Sequence, residues 1–175
     1  MNDEHILSAV VEALSKSEAK APPAPSKPER PRRSVEWTIG GFCDDARVTT
    51  SFGELPIQAL RRRDPLRTVE GPLARVERVD RIQLDEAFLE QNPDAQPVRI
   101  QAGALGPNRP KTDVLVSPHQ AVGVGQYGND FRRARDLLDR PGVVRQPALG
   151  LSYYVFQCEA PATVEVEGLS IHVSP

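Results

Sequence analysis

Seventeen prolines run the length of this 175-residue chain, and they constrain its fold more than any other feature. Proline gives a strand ladder no N–H and fits neither a helix interior nor a central strand. Dense proline therefore cuts a chain into short elements joined by turns. Between the prolines, apolar and polar residues alternate over short runs, as they do in half-buried strands. The expectation is a mainly β protein of short strands. At 39% hydrophobic and 26% charged residues, the composition is that of a folded soluble domain.

Three segments follow from the pattern. Residues 1–20 predict an amphipathic helix: Asp3 caps it, and Ile6, Val10, Ala13 and Leu14 share one stripe, widened by Leu7 and Val11. Such a helix is marginal alone, so its stripe should dock, either on its own domain or on an unknown protein partner. Residues 21–33 hold five prolines, which predicts an extended linker. Residues 34–175 then form one β domain, large enough to bury a core.

Within that domain Val35–Ile39 alternates as a strand does. Arg47–Thr50 and Leu55–Ile57 flank a tight turn at Phe52-Gly53-Glu54. Arg75–Leu84 reads as a strand with a bulge, followed by a helical turn over Asp85–Leu89. Val98–Ala102, Val114–Val116 and Tyr153–Phe156 read as strands, with Val98, Ile100, Val114, Val116 and Phe156 in the core. Thr163–Val166 and Leu169–Val173 pair as a hairpin around Glu167-Gly168, which leaves His172 on the solvent face. Asn129 to Arg140 predicts the one good internal helix, with Phe131, Ala134, Leu137 and Leu138 on a face and Pro141-Gly142 as terminator.

Charge and residue usage remove several function classes from the expectation. Net charge is −2, so nothing draws the chain toward nucleic acid or an anionic membrane, and Arg61-Arg62-Arg63 reads as a solvated turn. No stretch approaches the roughly 18 apolar residues of a membrane span, and Asp3 and Glu4 stand where a secretory signal is basic. A cytoplasmic location is expected, with signal-independent export left open. Cys43 and Cys158 are too few for a disulfide framework, and His5, His119 and His172 are scattered. Neither a metal nor a cofactor is expected.

Two blocks carry a resemblance. Gly41 to Leu60 is similar to the opening block of the Hint domain, the self-processing fold of hedgehog C-terminal regions and inteins, in its bacterial stand-alone branch. That block runs Cys-Phe-x-x-Gly-x-x-Val/Ile-x-Thr, then through a Gly-Glu turn into an apolar-Pro-apolar segment. Val98 to Gln120 resembles the family's second block, which ends in Ser-Pro-x-His or Thr-x-x-His, and Val164–Val173 resembles its closing strands. The resemblance implies an all-β, horseshoe-like fold. It also implies a chemistry in which the first Cys attacks the peptide carbonyl just before it and the second-block His acts as the acid.

The chain departs from that pattern at both positions. Aligned without gaps, the nucleophile position is Gly41 and the His position is Gln120. Cys43 lies two residues downstream and His119 one residue upstream, so no single shift restores both; Ser117 keeps the block's hydroxyl. No catalytic residue is expected, and Cys43, Ser117 and His119 are the candidates if one exists. Each also has a structural reading: Cys43 and Cys158 as small buried side chains, Ser117 and His119 as turn residues around Pro118. Three functions stay open: a Hint-like module without autoprocessing, self-processing by Cys43 with His119, and an unrelated β-sandwich binding module.

Overall fold

The structure, a computed structural model, describes residues 36–175. The helix and linker expected over residues 1–33 lie outside the described residues, as does Val35.

Twelve short strands carry the domain, as the proline spacing requires: β1 (Arg47–Thr50), β2 (Gly53–Pro56), β3 (Pro65–Arg67), β4 (Leu73–Leu84), β5 (Val98–Ile100), β6 (Val114–Val116), β7 (Ala121–Val124), β8 (Asp130–Arg133), β9 (Val143–Arg145), β10 (Leu151–Cys158), β11 (Ala162–Val166) and β12 (Leu169–Val173). A seven-stranded sheet runs β10-β4-β3-β1-β11-β12, with β2 on β1. It is nearly closed and barrel-like. β6-β5-β9 form a second sheet and β7-β8 a separate hairpin.

Local chemistry explains the elements that position the site. In the β1–β2 hairpin the turn residues are Ser51 and Phe52, one place earlier than the sequence suggests, because the Thr50 hydroxyl accepts from the Phe52 N–H and donates to the Gly53 carbonyl. β4 carries its bulge at Glu77: Gln157 pairs with Arg78 and Cys158 with Val76, which leaves Glu77 without a partner on β10. The β11–β12 turn puts Glu167 at φ 51° and Gly168 at φ 78°, the two-residue type I′ geometry that suits strand twist. The short helix α1 (Glu86–Gln91) starts where the Asp85 carboxylate accepts from the Phe88 N–H.

Two expectations need correction. Residues 129–140 are not a helix: Asp130–Arg133 pair with β7, and only Ala134–Leu137 make a 3-10 turn. The Ala134 N–H donates to the Gln120 carbonyl and the Arg135 N–H to that of Pro118, so donors that an α-helix directs four residues back are spent elsewhere. Ala134 and Leu137 are buried as the spacing suggests. Residues 36–39 are not a strand either. Trp37 is buried but Ile39 is 40% exposed, because one hydroxyl, that of Ser117, takes both the Trp37 indole N–H and the Ile39 carbonyl and bends the segment.

The core has two parts. The main cluster fills the space between the sheets and includes Val98, Ile100, Val114, Val116 and Phe156, all expected inside, together with Cys158. A satellite gathers Trp37, Cys43, Leu84, Leu89, Ala95 and Tyr153. Trp37 packs edge-on to Phe88 and tilted on Tyr153, with ring centroids 6.1 and 5.7 Å away, and the Tyr153 hydroxyl donates to the Ala95 carbonyl at 2.8 Å.

Candidate functional site

The site is built where Gly41-Phe42-Cys43 threads between β6 and β10. The Phe42 N–H donates to the Tyr154 carbonyl (3.0 Å) and its own carbonyl accepts from the Tyr154 N–H (2.7 Å). On the other side, the Cys43 N–H donates to Leu115 (2.9 Å) and the Ser117 N–H to Gly41 (2.8 Å). This short seam joins the two sheets, because Phe42 bridges both Val116 and Tyr154.

Backbone geometry supports reading the opening block without gaps. Asp45, at the place where the block pattern has glycine, sits at φ 71°, a conformation that Asp tolerates and Gly adopts freely. The same register puts Gly41 at the nucleophile position. Its φ is 155°, and a Cβ added there would lie 3.1 Å from the Tyr154 carbonyl oxygen and 3.2 Å from the Tyr153 Cβ. A side chain at 41 has neither the backbone conformation nor the room.

Gln120, which the resemblance aligns with the acid position, lies close to Gly40. A Cβ built on Gly40 would meet Gln120 Oε1 at 3.1 Å, so Gln120 lies against the residue that precedes Gly41. Its amide is otherwise spent locally, donating to the Ala121 carbonyl at 2.8 Å. A cleft of about 180 Å³ opens here, lined by Gly40, Phe42, Gln120, Tyr154 and His172 among others. His172 lies on the solvent face of β12, as the alternation places it, with its ring 6.0 Å from that of Phe131.

The remaining candidates do not line this cleft. Cys43 is buried in the satellite cluster, where burial first and the nearby Asp44 carboxylate second push its thiol up to about 12. Cys158 is fully buried, and its thiol rises to about 11 chiefly through burial. His119 is held below the usual imidazole range by desolvation, then by Arg135 and Arg133. Ser117 is fully buried; its oxygen accepts from Trp37 Nε1–H at 3.1 Å and from the His119 N–H at 3.3 Å while donating to Ile39. Its hydroxyl therefore fastens residues 37–39 to the domain. Trp37 is a residue that sequence reasoning missed, since its partner lies 80 residues away and neither residue signals the other.

Among the described residues no group of three or more His, Cys, Asp or Glu side chains is placed to hold a metal ion. Nor is any helix among them long and apolar enough to cross a membrane.

The sequence profile of the Hint domain matches residues 40–172, most of the chain. The chain belongs to the Hint domain family. Its fold is similar to that of a DnaB intein from Synechocystis sp. PCC 6803 (TM-score 0.53, 10% identity, covering 78% of this chain and 100% of the intein). It is also similar to a bacterial intein-like domain from Clostridium thermocellum (TM-score 0.52, 12% identity, covering 77% and 99%). At such identities the likeness is one of fold alone. No curated protein matches the chain in sequence.

Proposed function

We propose that this Hint domain does not process its own backbone and serves as a folded structural or binding module. The observation that carries the reading is Gly41. An N-to-S or N-to-O acyl shift needs a nucleophilic side chain at that residue. Glycine has none, and a Cβ there would crowd Tyr153 and Tyr154 at 3.1–3.2 Å. Gln120 beside Gly40 adds to it, because an amide cannot hand a proton to a departing nitrogen as imidazolium does.

Self-processing by Cys43 and His119 is disfavoured on three grounds. The thiol is packed among Trp37, Tyr153 and Leu89, its pKa near 12 leaves almost no thiolate at neutral pH, and His119, with its pKa lowered by desolvation and two arginines, is disfavoured as the charged acid. The test is the intact mass of the full chain after long incubation with dithiothreitol or hydroxylamine, which intercept thioesters. One uncut mass is expected, for the natural chain and for Cys43→Ala alike. A fragment ending at Phe42 that disappears in Cys43→Ala would promote the Cys43 route; one ending at Gly40 would restore processing at the family's position.

A further inference from the structure

The Ser117 clamp on Trp37 and Ile39 has a second product, a groove. Residues 36–39 form one wall; the end of β4 and the Phe88 ring of α1 form the other. The cavity between them is about 590 Å³, within the range of sites that accept a few side chains. Its floor is apolar, made by Trp37, Ile82, Leu84 and Phe88, and Ile39 stands 40% exposed at its edge. Among the described residues the charge around it has one sign: Glu36 and Asp85 line it, no described Lys or Arg does, and Glu86 is exposed next to Asp85. None of the three carboxylates has an ion-pair partner among the described residues. An open apolar trough rimmed by carboxylates, of which Asp85 also caps α1, matches a chain segment that alternates large apolar side chains with Lys or Arg.

We propose that this groove is a docking site for such a basic, apolar segment of a partner protein. The inference rests on the reading of the domain as a binding module and supplies the chemistry of what it binds. Apolar side chains enter over Trp37 and Ile82, and flanking cations meet Glu36, Asp85 and Glu86.

Trp37 is the chain's single tryptophan and lines the groove, so a change in its emission on adding a peptide reports on this part of the molecule. The full chain is titrated with a short synthetic peptide of alternating leucine and arginine. Two control peptides replace arginine by glutamate or leucine by serine. The leucine–arginine peptide should shift the Trp37 emission saturably, and each control should bind at least about tenfold more weakly. Glu36→Lys with Glu86→Lys should weaken the first peptide by a similar factor, as should Ile39→Asp; all three positions are exposed, so these variants keep the fold. Circular dichroism checks that. Absence of a saturable shift, equal binding of the three peptides, or affinity unchanged by the charge reversals overturns the proposal. Intact mass of the same samples keeps the two readings apart: an uncut chain that fails to bind rejects the groove alone, whereas a cut chain rejects the unprocessed reading.

Discussion

The proposed loss of processing is tested most directly at position 41. Gly41→Cys would return a thiol to the nucleophile position, but it must hold φ near 155° and seat a Cβ 3.1 Å from the Tyr154 carbonyl. Strained backbone of this kind costs about 1–3 kcal/mol. The variant, even combined with Gln120→His, should unfold at lower urea and still give one mass; a cleaved product would show that the pocket adapts. Cys43 offers a second check. With its thiol raised to about 12 and that of Cys158 to about 11, neither should alkylate with iodoacetamide at pH 8 in the native chain, and both should once it is unfolded. Linkage gives the sign of the pH effect. The unfolded thiol ionises near 9.0 and the folded one near 12, so above pH 9 the unfolded state sheds a proton that the native state keeps. Stability then falls as pH rises, by up to about 1.4 kcal/mol per unit for one such group. Denaturation of Cys43→Ala should show a shallower loss between pH 9 and 11, and parallel curves would mean the thiol is not desolvated.

Short elements were readable where side-chain period and turn chemistry agree. β11 and β12 alternate on either side of Glu167-Gly168, and β5 and β6 bury the residues that their pattern puts inside. Misreading arose where backbone donors decide the outcome. Phe131, Ala134 and Leu137 lie three apart, which imitates a helical face, yet the N–H groups of Ala134 and Arg135 go to residues 120 and 118. At the site, Gly41 and Gln120 were singled out by the resemblance to the family's two blocks, while the Trp37–Ser117 clamp depends on the whole fold. Ser117→Ala tests that clamp. It leaves the buried indole N–H and the Ile39 carbonyl without a partner, a loss of about 1–3 kcal/mol read by urea denaturation. Cys158 packs in the main cluster, far along the chain from that clamp, so its conservative replacement by Ala should not alter the Trp37 emission maximum, whereas Ser117→Ala should. Ile100→Ala, at a fully buried position, should cost about 2–5 kcal/mol in the same assay, and a loss under about half a kcal/mol would contradict its burial.

In the whole molecule, the residues that would do the family's chemistry coincide with those that hold the sheets together. Phe42 is 1% exposed, and its backbone bridges Val116 of one sheet to Tyr154 of the other. Its side chain enters the main cluster while its neighbour Cys43 enters the satellite, so the two cores meet at this peptide, as they also do at Tyr153 and Tyr154 on β10. The opening block therefore has a structural role of its own: without it, the satellite loses Cys43 and the sheets lose their seam. Phe42→Ala should therefore do more than lower stability by the roughly 3–5 kcal/mol of a truncated core aromatic. In the natural chain, Trp37 emission reports the satellite and far-ultraviolet circular dichroism reports the sheets, and one cooperative urea transition should appear in both. In Phe42→Ala the fluorescence transition should move to lower urea than the dichroism transition, because the Phe42–Cys43 peptide is one of the links between the satellite and the main cluster. Coincident transitions in the variant would show that the contacts of β4 with β10 couple the two cores without the seam.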